Sequence, residues 1–268
     1  DHRDLHSFPT RRSSDLSANY QSYNEMNGDN INDVFVDESK RIWLANYPTG
    51  ITVIDYRYEN YHWMKHSMGN KQSIVNDQVH AVIEDSDGDL WFGTSNGISL
   101  YNSGTGEWHS FLSSFNHQLK DKNHIFITLC EVSPGIIWAG GYTSGIYKIN
   151  KADLSVEYFS PYLLSHINMR PDKYIRDMIK DSKGNIWSGG YYNLKCFDLE
   201  TNEVRLYPGV SSVTSIVEHD KDHMWIGTAS GLYLLDRNSG KYQYAGSELE
   251  GVYINSLYQA NDGLLYIG

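Results

Sequence analysis

The chain has 268 residues, of which 40% are hydrophobic and 13% aromatic, and its formal net charge at pH 7 is −11. This composition can bury a large core, which excludes a disordered or fibrous chain. The acidic balance argues against nucleic acid and anionic membrane surfaces as partners, because both bind basic patches. No apolar run approaches the roughly 20 residues of a membrane helix.

The first sixteen residues, DHRDLHSFPTRRSSDL, look like the conceptual translation of a sequencing-adapter oligonucleotide. We therefore expect residues 1–16 to be an artefact and residues 17–268 to be the native propeller part described below. On this interpretation the true start of the protein and any signal peptide are missing, and the Arg11-Arg12 pair is not a twin-arginine signal.

Residues 79–101 form the clearest local unit, reading VHAVIEDSDGDLWFGTSNGISLY. Three runs of four to six residues, rich in β-branched and aromatic side chains, are separated by two turns of Gly, Asp, Asn and Ser. This pattern predicts three short strands joined by hairpin turns. The three- and four-residue apolar spacing of a helix is absent from it.

The unit recurs along the chain at intervals of roughly 40 to 50 residues, which is typical of propeller blades with four strands each. Its anchors are Trp43, Trp91, Trp138, Trp187, Trp225 and, in the sixth slot, Tyr266. The sequence predicts an all-β fold: a β-propeller fragment of about five to six four-stranded blades, incomplete at both ends. Because the last unit stops at Gly268, in the slot of Gly93, we expect a fragment of a longer protein.

The two cysteines and the acidic turns show no pattern of a metal site. Cys130 and Cys196 fall on predicted strands and are interpreted as small buried hydrophobic residues, not as a disulfide. Residues 85–89, DSDGD, imitate the start of a calcium loop, but Asn96 stands where the distal bidentate Glu is needed. We predict a hairpin turn there, with no metal and no cofactor.

One face of the predicted propeller collects polar and aromatic side chains. The connection into each first strand and the turn between second and third strands should open on the same face, around the central channel. The first set supplies Asn32, Asp33, His80, Arg176, Asp177 and Asn255, and the second supplies Tyr47, Tyr142, Tyr191 and Tyr192. Aromatic faces stack on sugar C–H faces, and guanidinium and amide groups bind hydroxyls or a uronate. These ten residues are the predicted ligand-binding set.

Structural roles compete with this interpretation residue by residue. A tyrosine can pack on the neighbouring blade, and Arg176 can pair with Asp177. Asp33 and Asp177 do not suggest a catalytic pair of carboxylates either. They lie three blades apart and are expected to face each other across a wide channel. Glycoside hydrolysis needs two carboxylates about 5 to 10 Å apart. We predict no catalytic residue.

The motif V-x-x-I-x-E-D-x-x-G-x-L-W-x-G-T-x-x-G-[LI]-x-x-Y, met almost in full by residues 79–101, resembles the two-component-regulator propeller repeat. The resemblance covers about residues 20–268. It implies the periplasmic sensor half of a hybrid two-component system of gut Bacteroidetes. Members usually carry two propellers, a β-sandwich, one membrane helix, a histidine kinase, a receiver and a DNA-binding regulator.

The resemblance implies a function of sensing oligosaccharides released from polysaccharides and switching on genes for their use. It further implies a homodimer in the parent protein, a membrane reached only through parts of the protein outside these residues, and no enzyme activity in this region. Two other classes stay open. Streptogramin lyases are metal-dependent propeller enzymes with similar repeats and a catalytic His, and scaffold propellers bind proteins through their faces.

Overall fold

The structure, a computed structural model, describes residues 30–55, 60–114, 124–159, 173–260 and 262–268, with the side chains of residues 60–62 left aside. The regular secondary structure of the described residues consists of strands and one 3-10 turn at Ser247–Leu249. The predicted artefact at residues 1–16 lies outside the described residues. Within the described ranges, no helix has the length and apolar character that a membrane span requires.

Within the described ranges, the strands form five antiparallel sheets of four, each in chain order, and one sheet of two. Blade 1 contains β1 (Asn30–Val36), β2 (Ile42–Tyr47), β3 (Gly50–Asp55) and β4 (Asn60–Met64). Blade 2 contains β5 (Val79–Glu84), β6 (Leu90–Thr94), β7 (Gly97–Tyr101) and β8 (Trp108–Phe111). Blade 3 contains β9 (Phe126–Ser133), β10 (Ile136–Gly141), β11 (Ile146–Asn150) and β12 (Ser155–Phe159).

Blade 4 contains β13 (Ile175–Lys180), β14 (Ile186–Gly190), β15 (Leu194–Asp198) and β16 (Glu203–Tyr207). Blade 5 contains β17 (Val213–Glu218), β18 (His223–Thr228), β19 (Gly231–Asp236) and β20 (Tyr242–Tyr244). The two-stranded sheet pairs β21 (Leu257–Gln259) with β22 (Leu265–Ile267). The predicted all-β propeller architecture is confirmed, with Tyr266 on β22 in the slot of the tryptophans.

The core lies between blades rather than inside one of them. Each of four hydrophobic clusters joins residues of two consecutive blades, because a sheet whose two faces are both apolar must be covered on both sides. Trp91, for example, is fully buried against Phe111 and the strands of blade 3. The first strand of each blade lies next to the first strand of the following blade, so these inner strands surround the axis.

A glycine two residues after the anchor tryptophan lets consecutive blades approach closely near the axis. A Cβ atom on Gly93 would lie 2.8 Å from the carbonyl oxygen of Phe126, the first residue of the next inner strand. The same close approach joins Gly140 to Ile175, Gly189 to Val213 and Gly227 to Ile254. The glycine of the repeat motif is therefore required by packing between blades.

The acid of the repeat motif holds the anchor indole. The indole N–H groups of Trp43, Trp91 and Trp187 donate to Asp37, Asp85 and Asp181 at 2.8 to 2.9 Å. The same carboxylates accept backbone N–H groups of their own turns, as Asp85 does from Asp87 and Asp89 at 3.0 Å. In blade 5 that slot holds His219, and the indole N–H of Trp225 has no partner among the described residues.

Cations from the next blade complete these turns. Lys151 of blade 3 lies 2.7 Å from Asp85 and 2.9 Å from Asp89, and Arg237 of blade 5 lies 2.8 Å from Asp181. The motif glutamate acts similarly, since Glu131 accepts from the backbone and side chain of Ser86 in blade 2. The acidic turn at residues 85–89 is thus a junction between blades.

The two cysteines are free thiols, with Cys130 buried and Cys196 half-buried. Burial raises the pKa of each thiol to about 12. This agrees with their interpretation as small hydrophobic residues and makes both poor nucleophiles at neutral pH.

We expect Asp85→Ala to lower the free energy of unfolding by about 3 kcal/mol, because it leaves the Trp91 indole and the Lys151 ammonium short of a buried partner. Asp87→Ala is the matched control: Asp87 also contacts Lys151, but its side chain is 68% exposed whereas that of Asp85 is 0% exposed. The control should cost less than about 1 kcal/mol. Urea unfolding followed by tryptophan fluorescence measures both, and equal losses would contradict this role.

Candidate functional site

One end of the blades gathers the connections that the sequence assigns to the binding face. The turns between second and third strands bind the entry segments of the following blades: Gly97 N–H donates to the carbonyl of His124 at 2.6 Å, and Ser212 N–H donates to the carbonyl of Tyr191 at 3.1 Å. We call this end the entry face. Its two sets of connections meet at one end of the blades, as predicted.

A β-bulge in every complete blade presents one residue of the inner strand at the entry face. The pairing of first and second strands skips one residue in all five blades. The skipped residues are Asn32, His80, Ile127, Arg176 and Thr214. A bulge re-aims a side chain out of the ladder, which explains why this row can be polar although its neighbours in the chain are apolar.

Three tyrosines from blades 3 and 4 form a continuous aromatic run on this face. Tyr174 packs edge-on against Tyr142, with ring centroids 5.3 Å apart, and stacks on Tyr191 at 4.3 Å with 27° between the planes. Tyr142 and Tyr191 are 44% and 55% exposed. We call Tyr142, Tyr174 and Tyr191 the tyrosine run. It presents flat apolar surface to solvent beside polar groups.

Arg176 and Asn255 lie beside this run and contact each other. The Arg176 guanidinium donates to Asn255 Oδ1 at 3.3 Å. Burial raises the pKa of the Tyr174 hydroxyl, and the charge of Arg176 acts against this rise. Tyr191, Tyr253 and Tyr142 make smaller contributions that raise the pKa. Arg176, Tyr142, Tyr191 and Asn255, four of the ten predicted ligand-binding residues, therefore lie near one another.

A second polar group lies on blades 1 and 2. The His80 ring hydrogen-bonds Ser95 Oγ at 2.8 Å and lies 3.4 Å from the Asn32 amide nitrogen, and the Tyr47 ring is 6.0 Å away between centroids. Burial lowers the pKa of His80, and the charge of Arg176 lowers it further. His80 is therefore neutral at pH 7.

Asp33 and Asp177 hold neighbouring blades together. Asp33 Oδ2 accepts the backbone N–H of Val82 in blade 2 at 2.8 Å, and Asp177 Oδ2 accepts that of Ile216 in blade 5 at 2.6 Å. Each also accepts the N–H of the residue that follows it in its own strand. The carboxylates thus point along the ring toward the next blade, which differs from the expectation that they face each other across the channel. The structural alternative expected Arg176 to pair with Asp177. The guanidinium of Arg176 instead hydrogen-bonds Asn255.

These two carboxylates have perturbed acidity. Burial raises the pKa of Asp33 and of Asp177 to about 6, against the lowering effect of their backbone hydrogen bonds. The charge of Asp177 adds to the rise at Asp33. Both are mostly ionised at pH 7, and their oxygens already accept backbone donors.

Two tyrosines of this face were missed by the sequence analysis. Tyr174 and Tyr253 occupy the same slot, thirteen residues before the anchors Trp187 and Tyr266. This slot lies two positions before that of Arg176 and Asn255, so a tyrosine recurring there is the sequence signal for both. Tyr253 is 57% exposed, and the predicted site residue Tyr192 is exposed as well.

No group of three or more His, Cys, Asp or Glu side chains suited to a metal occurs in the part of the chain that the structure describes. A cavity of about 430 Å³ lies at the opposite end of blades 4 and 5, lined among others by Trp187, Tyr207, Arg205 and Arg237. Arg205 and Arg237 use their guanidinium groups there to join the two blades. That cavity is a gap in a structural junction, away from the entry face.

Part of the repeat matches a known protein family. Residues 73–96 match the sequence model of the family described as two component regulator propeller. This stretch of blade 2 is similar to one two component regulator propeller repeat. The match begins just before β5 and ends in the turn after β6, the region where the acid, tryptophan and glycine of the motif perform the contacts described above. No curated protein matches the sequence.

Solved structures show the same fold. An extracellular domain described as part of a hybrid two component system from B. thetaiotaomicron has a TM-score of 0.77 at 22% identity, over 94% of this chain and 34% of that one. A second such domain from B. thetaiotaomicron has a TM-score of 0.67 at 19% identity, over 89% of this chain and 30% of that one. This propeller therefore spans about a third of the length of these two chains.

Propeller enzymes share the fold too. Virginiamycin B lyase from Staphylococcus aureus has a TM-score of 0.64 at 14% identity, over 87% of this chain and 76% of that one. At this identity the likeness shows the fold alone, since one propeller architecture serves unrelated activities. The function has to be argued from the entry face.

Asp177 provides a test of how the inner strands are joined. We expect Asp177→Ala to lower the free energy of unfolding at pH 7 by about 1–3 kcal/mol, because the Ile216 N–H loses its acceptor. Asp177→Asn keeps an oxygen acceptor and should fall between wild type and the alanine variant.

The pH dependence separates the charge of Asp177 from its hydrogen bonds. Because its folded pKa of about 6 exceeds the ordinary 3.8, the native state binds the proton more tightly, and this contribution to stability is lost as pH rises from 4 to 6. The drop in unfolding free energy between pH 4.5 and 7 should therefore be smaller in Asp177→Asn than in wild type. Urea titrations at both pH values measure it, and identical drops would refute the assignment.

Proposed function

We propose that this chain is the ligand-binding propeller of an extracytoplasmic sensor of the hybrid two component type, and that its ligand is an oligosaccharide derived from a polysaccharide. The observation that carries the proposal is the tyrosine run, exposed next to Arg176 and Asn255 on a face built by bulges. The repeat family and the fold of the extracellular domains described above support the sensor role.

The chemistry of the entry face suits a sugar. A pyranose ring has an apolar C–H face, which stacks on tyrosine, and an edge of hydroxyl groups, which amide and guanidinium groups bind. Tyr174 is already fixed between Tyr142 and Tyr191, so a ligand need not order it on binding. Pre-ordered aromatic side chains reduce the entropic cost of association.

Binding is favoured over catalysis because of how the inner carboxylates are used. Asp33 and Asp177 lie on inner strands, and each accepts one backbone N–H from the next blade and one from its own strand. A carboxylate fixed in this way is a poor choice for a general acid, which must exchange its proton with a substrate.

The remaining parts of the proposal concern the parent protein. We place this region in the periplasm, joined to a histidine kinase outside these residues and acting as a homodimer that controls genes for glycan use. A ligand can drive such a switch only if it binds one arrangement of the dimer better than the other.

We expect Tyr191→Ala to weaken binding of the cognate oligosaccharide by roughly 3- to 10-fold, because one stacking surface is lost. Tyr244→Ala is a matched control: Tyr244 stacks on Tyr233 at 4.4 Å and 29°, nearly as Tyr191 stacks on Tyr174, but it lies on the outer strand of blade 5. Calorimetric titration against plant and host oligosaccharides measures both variants. Loss of binding in neither variant, or equally in both, would remove the entry face as the site.

The sensor role has a separate readout in cells. In a bacterium that carries the complete parent gene, the oligosaccharide that binds the purified protein should induce transcription of glycan-use genes. Tyr191→Ala should shift the half-maximal concentration upward by the same factor as the dissociation constant. Induction that does not follow the binding loss would contradict the sensor role while leaving the binding site standing.

A further inference from the structure

We infer that the entry face recognises an acidic oligosaccharide, with the Arg176 guanidinium binding its carboxylate or sulfate group while the tyrosine run stacks on an adjoining ring. The inference rests on the proposed function and adds the charge class of the ligand and the residue that selects it.

Arg176 differs from the other arginines in the described ranges. Arg41 contacts Asp37 at 2.6 Å, Arg237 contacts both Asp181 and Glu218, and Arg205 donates to two backbone carbonyls while lying over Tyr207. The guanidinium of Arg176 has one hydrogen bond to a described residue, the neutral amide of Asn255 at 3.3 Å. A guanidinium has five N–H donors in a planar fork, so most of its capacity remains for a ligand.

The backbone holds this cation at the entry face. Arg176 is the residue skipped by the pairing of β13 with β14, so the bulge keeps it in place through the backbone and not through an acid. The neighbouring acid, Asp177, directs its carboxylate to the N–H groups of Ile216 and Met178. Among the described residues no ion pair to Arg176 is formed, although its charge acts on Asp177 and opposes the rise that burial causes in the pKa of that carboxyl. Such a cation, on a protein of net charge −11, is well suited to attract an anion locally.

The position of Arg176 in the chain and the reach of its charge relate the cation to the aromatic surface. Arg176 comes two residues after Tyr174, whose ring stacks on Tyr191 at 4.3 Å, and the charge of Arg176 acts on both Tyr174 and His80. A ligand bound by the guanidinium therefore reaches the tyrosine run with a neighbouring ring.

The test is calorimetry on the purified protein with three sets of probes. The first set is uronate oligosaccharides from pectin and glucuronoxylan, each paired with its carboxyl-reduced counterpart. The second is sulfated, uronate-free oligosaccharides from carrageenan and keratan sulfate. The third is neutral xylo-, manno- and arabino-oligosaccharides. We expect binding in the first or second set, at least 10-fold weaker for the carboxyl-reduced counterpart if the first set binds, and weaker as salt rises.

Variants assign the effect to the residue. Arg176→Gln should weaken binding of the acidic probe by about 10- to 100-fold, and Arg176→Lys should recover part of the loss because it keeps the charge without the planar fork. Arg205→Gln removes the same charge from the opposite end of blades 4 and 5 and should stay within about 2-fold of wild type. Unchanged thermal unfolding of Arg176→Gln controls for folding.

The outcomes separate the inference from the proposed function. Binding of a neutral oligosaccharide alone, or of an acidic one with equal affinity in wild type and Arg176→Gln, overturns the inference and leaves the oligosaccharide site standing. Binding of no oligosaccharide in any set overturns both. Binding in the first set identifies the anion as a uronate carboxylate, and binding in the second identifies it as a sulfate ester.

Discussion

The close approach of consecutive blades near the axis is the constraint on which the rest of this structure depends. The second strand of each of blades 2 to 4 lies against the first residue of the next inner strand at a glycine, and that of blade 5 lies against Ile254, three residues before β21. A Cβ at each glycine would lie under 3 Å from that residue. This contact brings the inner strands side by side. The bulged residues of those strands then converge on one face, so the packing requirement of the core also positions the candidate site.

The polar residues of the repeat fall into two groups: one joins neighbouring blades, and the other is exposed to solvent. The turn acids accept the anchor indoles. Asp85 and Asp181 are neutralised by Lys151 and Arg237 of the following blade, and Asp37 by Arg41 of its own blade. The inner acids Asp33 and Asp177 accept backbone N–H groups of the next inner strand. What remains exposed at the entry face is aromatic, amide and guanidinium chemistry. The acidic residues of these turns and inner strands therefore have structural roles rather than catalytic ones.

The two sets of carboxylates respond to acid in opposite directions. Burial acts to raise the pKa of Asp85 and Asp181, but hydrogen bonds from Lys151 to Asp85, from an indole to each and from backbone donors outweigh it and lower the pKa. Their contribution to stability is present above about pH 4 and is lost below it. Protonation of Asp33 and Asp177 as pH falls through 6 stabilises the folded state, because the pKa of each carboxyl is raised to about 6. As pH falls, protonation of Asp33 and Asp177 therefore removes the cost of their buried charges before the turn carboxylates lose their ion pairs and hydrogen bonds.

The repeat spacing, the strand pattern and the position of the entry face were determined by the sequence alone, because alternation, turn chemistry and anchor spacing are local properties of the chain. That spacing assigned ten residues to this face, with Tyr142, Tyr191, Arg176 and Asn255 among them. Only the tertiary structure decided the roles of Asp33 and Asp177, the addition of Tyr174, and the partner of Arg176. The physical reason is that a bulge and a contact between blades depend on how two sheets pack, which no spacing within one repeat records.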